Sequence, residues 1–205
     1  MKKFLFASAL LIALTAAGFR TAPGTLTSDE RKFAIDYYQK TKARLLADVK
    51  GLSEAQLNWK ADTSRWSVYQ CTEHIALAET IIWQWIQMTE RQAATPDKRS
   101  EEKHTTEEVI ALTTDRSHKF QAPEMLRPGT QFPGEQAAVD AFVRRRDSTI
   151  EYLRMTQDDL KDHFFVHPAF GTMDMYQALL FLAAHSARHT AQLEEVMNTP
   201  GFPKN

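Results

Sequence analysis

The chain has 205 residues, 43% hydrophobic and 25% charged, which suits one globular domain with a sizeable core. A formal net charge of −1, with no basic stripe interleaved with aromatics, gives nucleic acid no electrostatic footprint. The single cysteine, Cys71, excludes an internal disulfide framework and any cysteine-rich zinc module.

Lys2 and Lys3 precede a largely apolar run from Phe4 to Phe19, with the small residues Ala16, Ala17 and Gly18 near its end. That order is the signature of a secretory signal peptide, read here as residues 1–22. The run is shorter than the roughly 20 residues of a membrane span, and an uncleaved N-terminal anchor is the alternative. No cysteine follows it, so a lipoprotein anchor is excluded. The expected location is outside the cytoplasm, periplasmic or secreted, with no membrane attachment after cleavage. A lone thiol in such an oxidising compartment is best kept buried.

Residues 27–198 read as one domain, followed by a tail at 199–205. Thr27 with Glu30 forms a capping box, in which each side chain satisfies an otherwise orphaned backbone N–H. The stripe Phe33, Tyr37, Thr41 and Leu45, flanked by Ala34, Tyr38 and Val49, predicts a helix that ends at Gly51. A short segment from Ser53 to Trp59 and a loop through Asp62–Ser64 lead to a second main helix from Ser67. Its inner face is Val68, Cys71, Ile75, Ala78, Ile82 and Trp85, and His74 shares that face. It fades near Arg91, before a polar linker at Ala94–Lys103. Thr105 and Glu108 cap a shorter helix to about Lys119. The Pro- and Gly-rich stretch Gln121–Glu135 reads as a long loop, a candidate lid or rim. A third main helix over Glu135–Met155 buries Ala138, Phe142, Ile150 and Leu153, with Arg144, Arg145 and Arg146 expected as a solvated patch. Asp158–Gly171 is expected to be irregular, with no strand-like alternation. A last helix, capped by Asp174 and stopped by Asn198, Pro200 and Gly201, is apolar on most faces and suits a central position.

His185 and His189 stand four apart on that last helix, so their rings point the same way, offset by about 40° and one turn. Both can reach one ion at about 2.0–2.1 Å. Leucines and alanines flank the pair, and His74 lies on the core face of another helix. Three buried imidazoles without a ligand would strand donors and acceptors in an apolar interior, a cost that coordination removes. Three neutral ligands leave a tetrahedral ion one open position, as catalytic centres do.

The strings WSVYQCTEHIALAE (Trp66–Glu79) and HPAFGTMDMYQALLFLAAHSARHTAQ (His167–Gln192), together with the order of helices, resemble the DinB-like superfamily over residues 27–198. The resemblance implies an all-α four-helix bundle, up-up-down-down with a long crossover. It places metal ligands on His74, His185 and His189, with zinc or nickel as the divalent ion. It also implies thiol transfer, isomerisation or hydrolysis on a small molecule. A signal peptide is out of keeping with thiol transfer, whose usual cosubstrates are cytosolic. A non-catalytic module with a structural metal is the other reading, and a homodimer is compatible with spare apolar surface.

Arg188 could clamp an anionic substrate or form a salt bridge with a glutamate. Gln192, three after His189, could hydrogen-bond a ligand ring. Cys71 could be a fourth ligand, a nucleophile or a small core residue. Glu73 points about 100° from His74 and is expected to be exposed. His167, expected in a loop with His163, could line the mouth of the site; His104 and His118 are expected at the surface.

Overall fold

The computed structural model describes residues 24–129 and 131–204, so the signal peptide assigned to residues 1–22 lies outside the described residues. The capping pairs start the helices where expected. Thr27 opens α1 (Ser28–Val49), Ser53 opens the short α2 (Glu54–Asn58), and Ser67 opens α3 (Val68–Glu90). Thr105 opens α4 (Thr106–Thr114), and the Asp174 carboxylate accepts the Gln177 N–H at the start of α6 (Met175–Met197). Among the described α-helices, only α5 (Glu135–Met155) begins without a side-chain cap, after Gly134 at φ +143°.

Four long helices form the bundle, with α1 and α3 each packed against both α5 and α6. Cross-helix partners fix the directions. Along α1 and α6, Glu30 meets Tyr176 and Arg44 meets Glu194, so the two are parallel. Along α3 and α5, Tyr69 meets Phe132 just before α5, and Trp83 meets Tyr152, again in parallel. His74 meets His189 while Glu79 meets Ser186, so α3 opposes α6. The order is therefore up-down-down-up, which corrects the expected up-up-down-down. A parallel neighbour requires the chain to travel back along the bundle, roughly 33 Å for 22 residues. Residues 50–67 instead fold α2 against α3 and reverse the chain. The expected long crossover runs through residues 91–134, between α3 and α5, and lays α4 along α6.

The stretch before α6 is irregular only as far as His163. Phe164–His167 (β1) and Gly171–Asp174 (β2) pair antiparallel, Phe164 opposite Asp174 and His167 opposite Gly171. Gly171 sits at φ +77°, a conformation that a Cβ disfavours. Pro168 and Gly171 thus shape a hairpin turn, and the short apolar run FFVH hides its strand character because it does not alternate.

The core has two apolar halves. One gathers Tyr38, Ile82, Leu153, Met175 and Leu179, and the other Leu45, Val68, Cys71, Ile75, Phe142 and Leu193. Between them lies a polar layer of Thr41, Glu79, Arg146 and Ser186, all buried. Arg146 donates to Thr41 Oγ1 (2.8 Å), Ser186 Oγ (2.5 Å) and Glu79 Oε1, and Ser186 Oγ donates to Glu79 Oε1 at 2.8 Å. The guanidinium also lies over Tyr38, 4.6 Å from the ring centroid. Arg146 is therefore not part of a solvated patch. Three consecutive helical residues span about 200°, and Arg146 falls four after Phe142 and four before Ile150, on the core stripe. Phe33 is corrected the other way: it is 46% exposed, and Ala34, Tyr38, Thr41, Leu45 and Val49 form the buried face. Among the described residues no helix is long and apolar enough to cross a membrane.

Candidate metal centre

The α3–α6 seam carries the three histidines at the level of the polar layer. One ring nitrogen from each of His74, His185 and His189 lies within 4.8 Å of the others. His74 Nε2 is 3.2 Å from His185 Nε2 and 3.1 Å from His189 Nε2. Two nitrogens held tetrahedrally at the usual zinc distance stand about 3.3 Å apart, so the spacing fits a shared divalent ion.

The outer ring atoms decide which nitrogens are free. His74 Nδ1–H donates to the Leu126 carbonyl at 2.6 Å, and His189 Nδ1–H donates to Gln192 Oε1 at 2.9 Å. The Nε2 atoms of both rings are then bare lone pairs facing each other, an arrangement that repels unless a cation sits between them. His185 Nδ1 is buried without a hydrogen-bond partner among the described residues, and Phe181 packs 6.0 Å from that ring. Trp66 covers the other side, 4.9 Å from His74 and 6.0 Å from His189.

Burial holds His74 down to about 4, and burial with the neighbouring rings holds His185 and His189 well below the ordinary value. All three are free bases at neutral pH, the form a metal needs. His74 is almost fully buried, whereas His185 and His189 are intermediate in exposure.

The neighbours fall out differently from expectation. Gln192 accepts from the His189 ring, the hydrogen bond its position suggested. Among the described residues Arg188 forms no ion pair with a glutamate. It donates to the carbonyls of Thr113, Asp115 and His118, tying the end of α4 to α6. Glu73 is fully buried rather than exposed, and its carboxylate accepts the N–H groups of Gly129 and Gln131 at 3.0 and 2.8 Å. Its flank of α3 is covered by the crossover, which helical periodicity does not place. Cys71 is a buried core residue among Val68, Ile75 and Phe142, and burial pushes its thiol up. His167 lies on β1, its ring 4.7 Å from Phe181, which in turn touches His185. His118 is exposed, and His104 is partly covered near Glu108. The Gln121–Glu135 segment is a rim: its 3-10 turn at Glu124–Leu126 presents the carbonyl that His74 uses. Periodicity missed the Leu126 carbonyl, because backbone atoms leave no signature in side-chain pattern.

A crossover-linked four-helix bundle with a three-histidine cluster on its second and fourth long helices defines a metal-binding class of fold. The DinB superfamily profile matches residues 37–193, and the chain belongs to that superfamily. It is 27% identical over 150 residues to the uncharacterised protein YuaE of Bacillus subtilis (strain 168), covering 73% of this chain and 88% of YuaE. Its structure is similar to that of YfiT from Bacillus subtilis, described as a probable metal-dependent hydrolase with an unusual four-helix bundle topology. That match has a TM-score of 0.58 at 15% identity and covers 91% of this chain and 97% of YfiT, a likeness of fold.

Proposed function

We propose that the protein binds one divalent metal ion, zinc or nickel, through His74, His185 and His189, and uses it for hydrolysis or group transfer on a small molecule. The observation that carries this reading is the facing pair of bare Nε2 atoms on His74 and His189, each ring pinned from behind by an oxygen acceptor. Imidazole donors suit both metals, and the similarity to YfiT agrees with hydrolysis. A bound ion would supply a Lewis acid that polarises a substrate oxygen and acidifies water. Leu126 and Gln192 would orient the ligand rings, while Trp66 and Phe181 would limit water at the flanks. The partial exposure of His185 and His189 favours this reading over a sealed structural metal. The N-terminal Lys2–Gly18 pattern supports export, so the natural chain recovered from the producing cells should have lost its first 18–22 residues, read by intact mass.

The deciding experiment is elemental analysis of protein purified without chelator and reloaded with zinc or nickel. About one ion per chain is expected, falling to near zero in His185→Ala, because two remaining ligands cannot hold it. Loaded wild-type protein without stoichiometric metal would remove the proposal. A loaded protein inert towards small esters, amides and thiol adducts would leave a binding module.

A further inference from the structure

Gln192 Oε1 receives two N–H groups at once, from His189 Nδ1 at 2.9 Å and from Arg116 Nη1 at 3.2 Å. Arg116 is itself anchored by Glu195, whose two carboxylate oxygens accept its Nε and Nη2 at 3.0 and 2.7 Å. A glutamine amide has an oxygen end and a nitrogen end of nearly equal shape. Turned by half a rotation, Gln192 would offer NH2 to His189, and the ring would have to present a lone pair at Nδ1 and carry its proton on Nε2. Arginine has donors and no acceptor, so it can face only the oxygen end. The oxygen then accepts from His189 Nδ1, and the lone pair of His189 is left on Nε2, 3.1 Å from His74 Nε2.

We propose that Arg116 is a positioning residue that fixes the Gln192 amide and, through it, the ligand-competent tautomer of His189. This rests on the metal-binding reading given above. Arg116 belongs to the crossover, just beyond α4, in a segment whose carbonyls are held by Arg188 from α6. The crossover thereby governs two of the three rings, one through the Leu126 carbonyl and one through Arg116.

The test is a zinc competition titration on wild type, R116M, Q192E and the double variant R116M/Q192E, with imidazole nitrogen NMR on the metal-free proteins. R116M is expected to bind zinc about tenfold more weakly, the low end for losing an outer partner of a ligand. A glutamate at 192 offers an oxygen in either rotation, so R116M should leave the affinity of Q192E unchanged. The NMR should show His189 protonated at Nδ1 in wild type and as a tautomer mixture in R116M. Equal zinc affinity in wild type and R116M, or the same loss in both backgrounds, would overturn the proposal. Where R116M does not fold, R116Q replaces it, since an amide can face Gln192 with either its oxygen or its NH2 and so no longer fixes that side chain's orientation. If wild type takes up no zinc while the tautomer still changes in R116M, the metal reading fails and the positioning role stands.

Discussion

Two polar clusters share one level of the bundle and differ in how they are completed. In the sealed one, Arg146 meets Glu79, Ser186 and Thr41 inside the core, and positive charge answers negative charge within the chain. In the open one, His74, His185 and His189 converge at the α3–α6 seam, with the Nε2 acceptors of His74 and His189 facing each other. A cluster that contains both signs holds helices together by itself. A cluster of lone pairs is completed only by a cation from outside.

The sharpest way to break the comparison is to strip the sealed cluster of one sign. Arg146→Met leaves the Glu79 carboxylate buried and uncompensated, and should cost about 3–5 kcal/mol, measured by denaturant unfolding. The double replacement E79L/R146M should recover most of that loss, because two apolar side chains need no partner. A double variant as unstable as R146M would mean that the layer is held by packing rather than by charge.

A smaller effect separates the open cluster by its response to acid. His74 titrates at about 4 in the fold against an ordinary 6.5, because burial disfavours the imidazolium. The unfolded chain therefore takes the proton first, and the metal-free protein should lose stability as the pH falls from about 6.5 towards 4 and keep it above that window. Denaturation midpoints at neutral and acid pH read this, and His74→Gln should flatten the slope. The smallest effect lies at the rim. Glu73→Gln gives up one of two carboxylate acceptors for the Gly129 and Gln131 amides, a local loss of about 1.5 kcal/mol. Hydrogen exchange should quicken around residues 128–131 while the global midpoint barely moves.

What the sequence made legible is what helices advertise. Thr27, Ser67 and Thr105 with their partners three residues on mark helix starts, and each of those capping boxes is formed. The i, i+4 spacing of His185 and His189 fixed their shared face, and the inward face of α3 placed His74 opposite them. The rest depended on contacts with no periodicity. Arg146 carries the charge of a surface residue at the position of a core one. Glu73 is buried by backbone amides some 56 residues away in the chain. Helix direction is decided by which link returns along the bundle, and residues 50–67 and 91–134 do not differ in periodic pattern.

The sealed layer bears on how accurately α6 can be placed. That helix buries Leu179, Leu180, Leu182, Ala183, Ala184, Ala187 and Leu193, so sliding it one turn, about 5.4 Å, would exchange one small or branched apolar residue for another. A slip in one direction would carry Leu182 into the place of Ser186, and its alkyl side chain could not take that hydroxyl's part between Arg146 and Glu79. The ion pair is thus a key in a notch. Because His185 precedes Ser186 in the chain, whatever locks that notch also sets where the histidine pair of α6 meets His74.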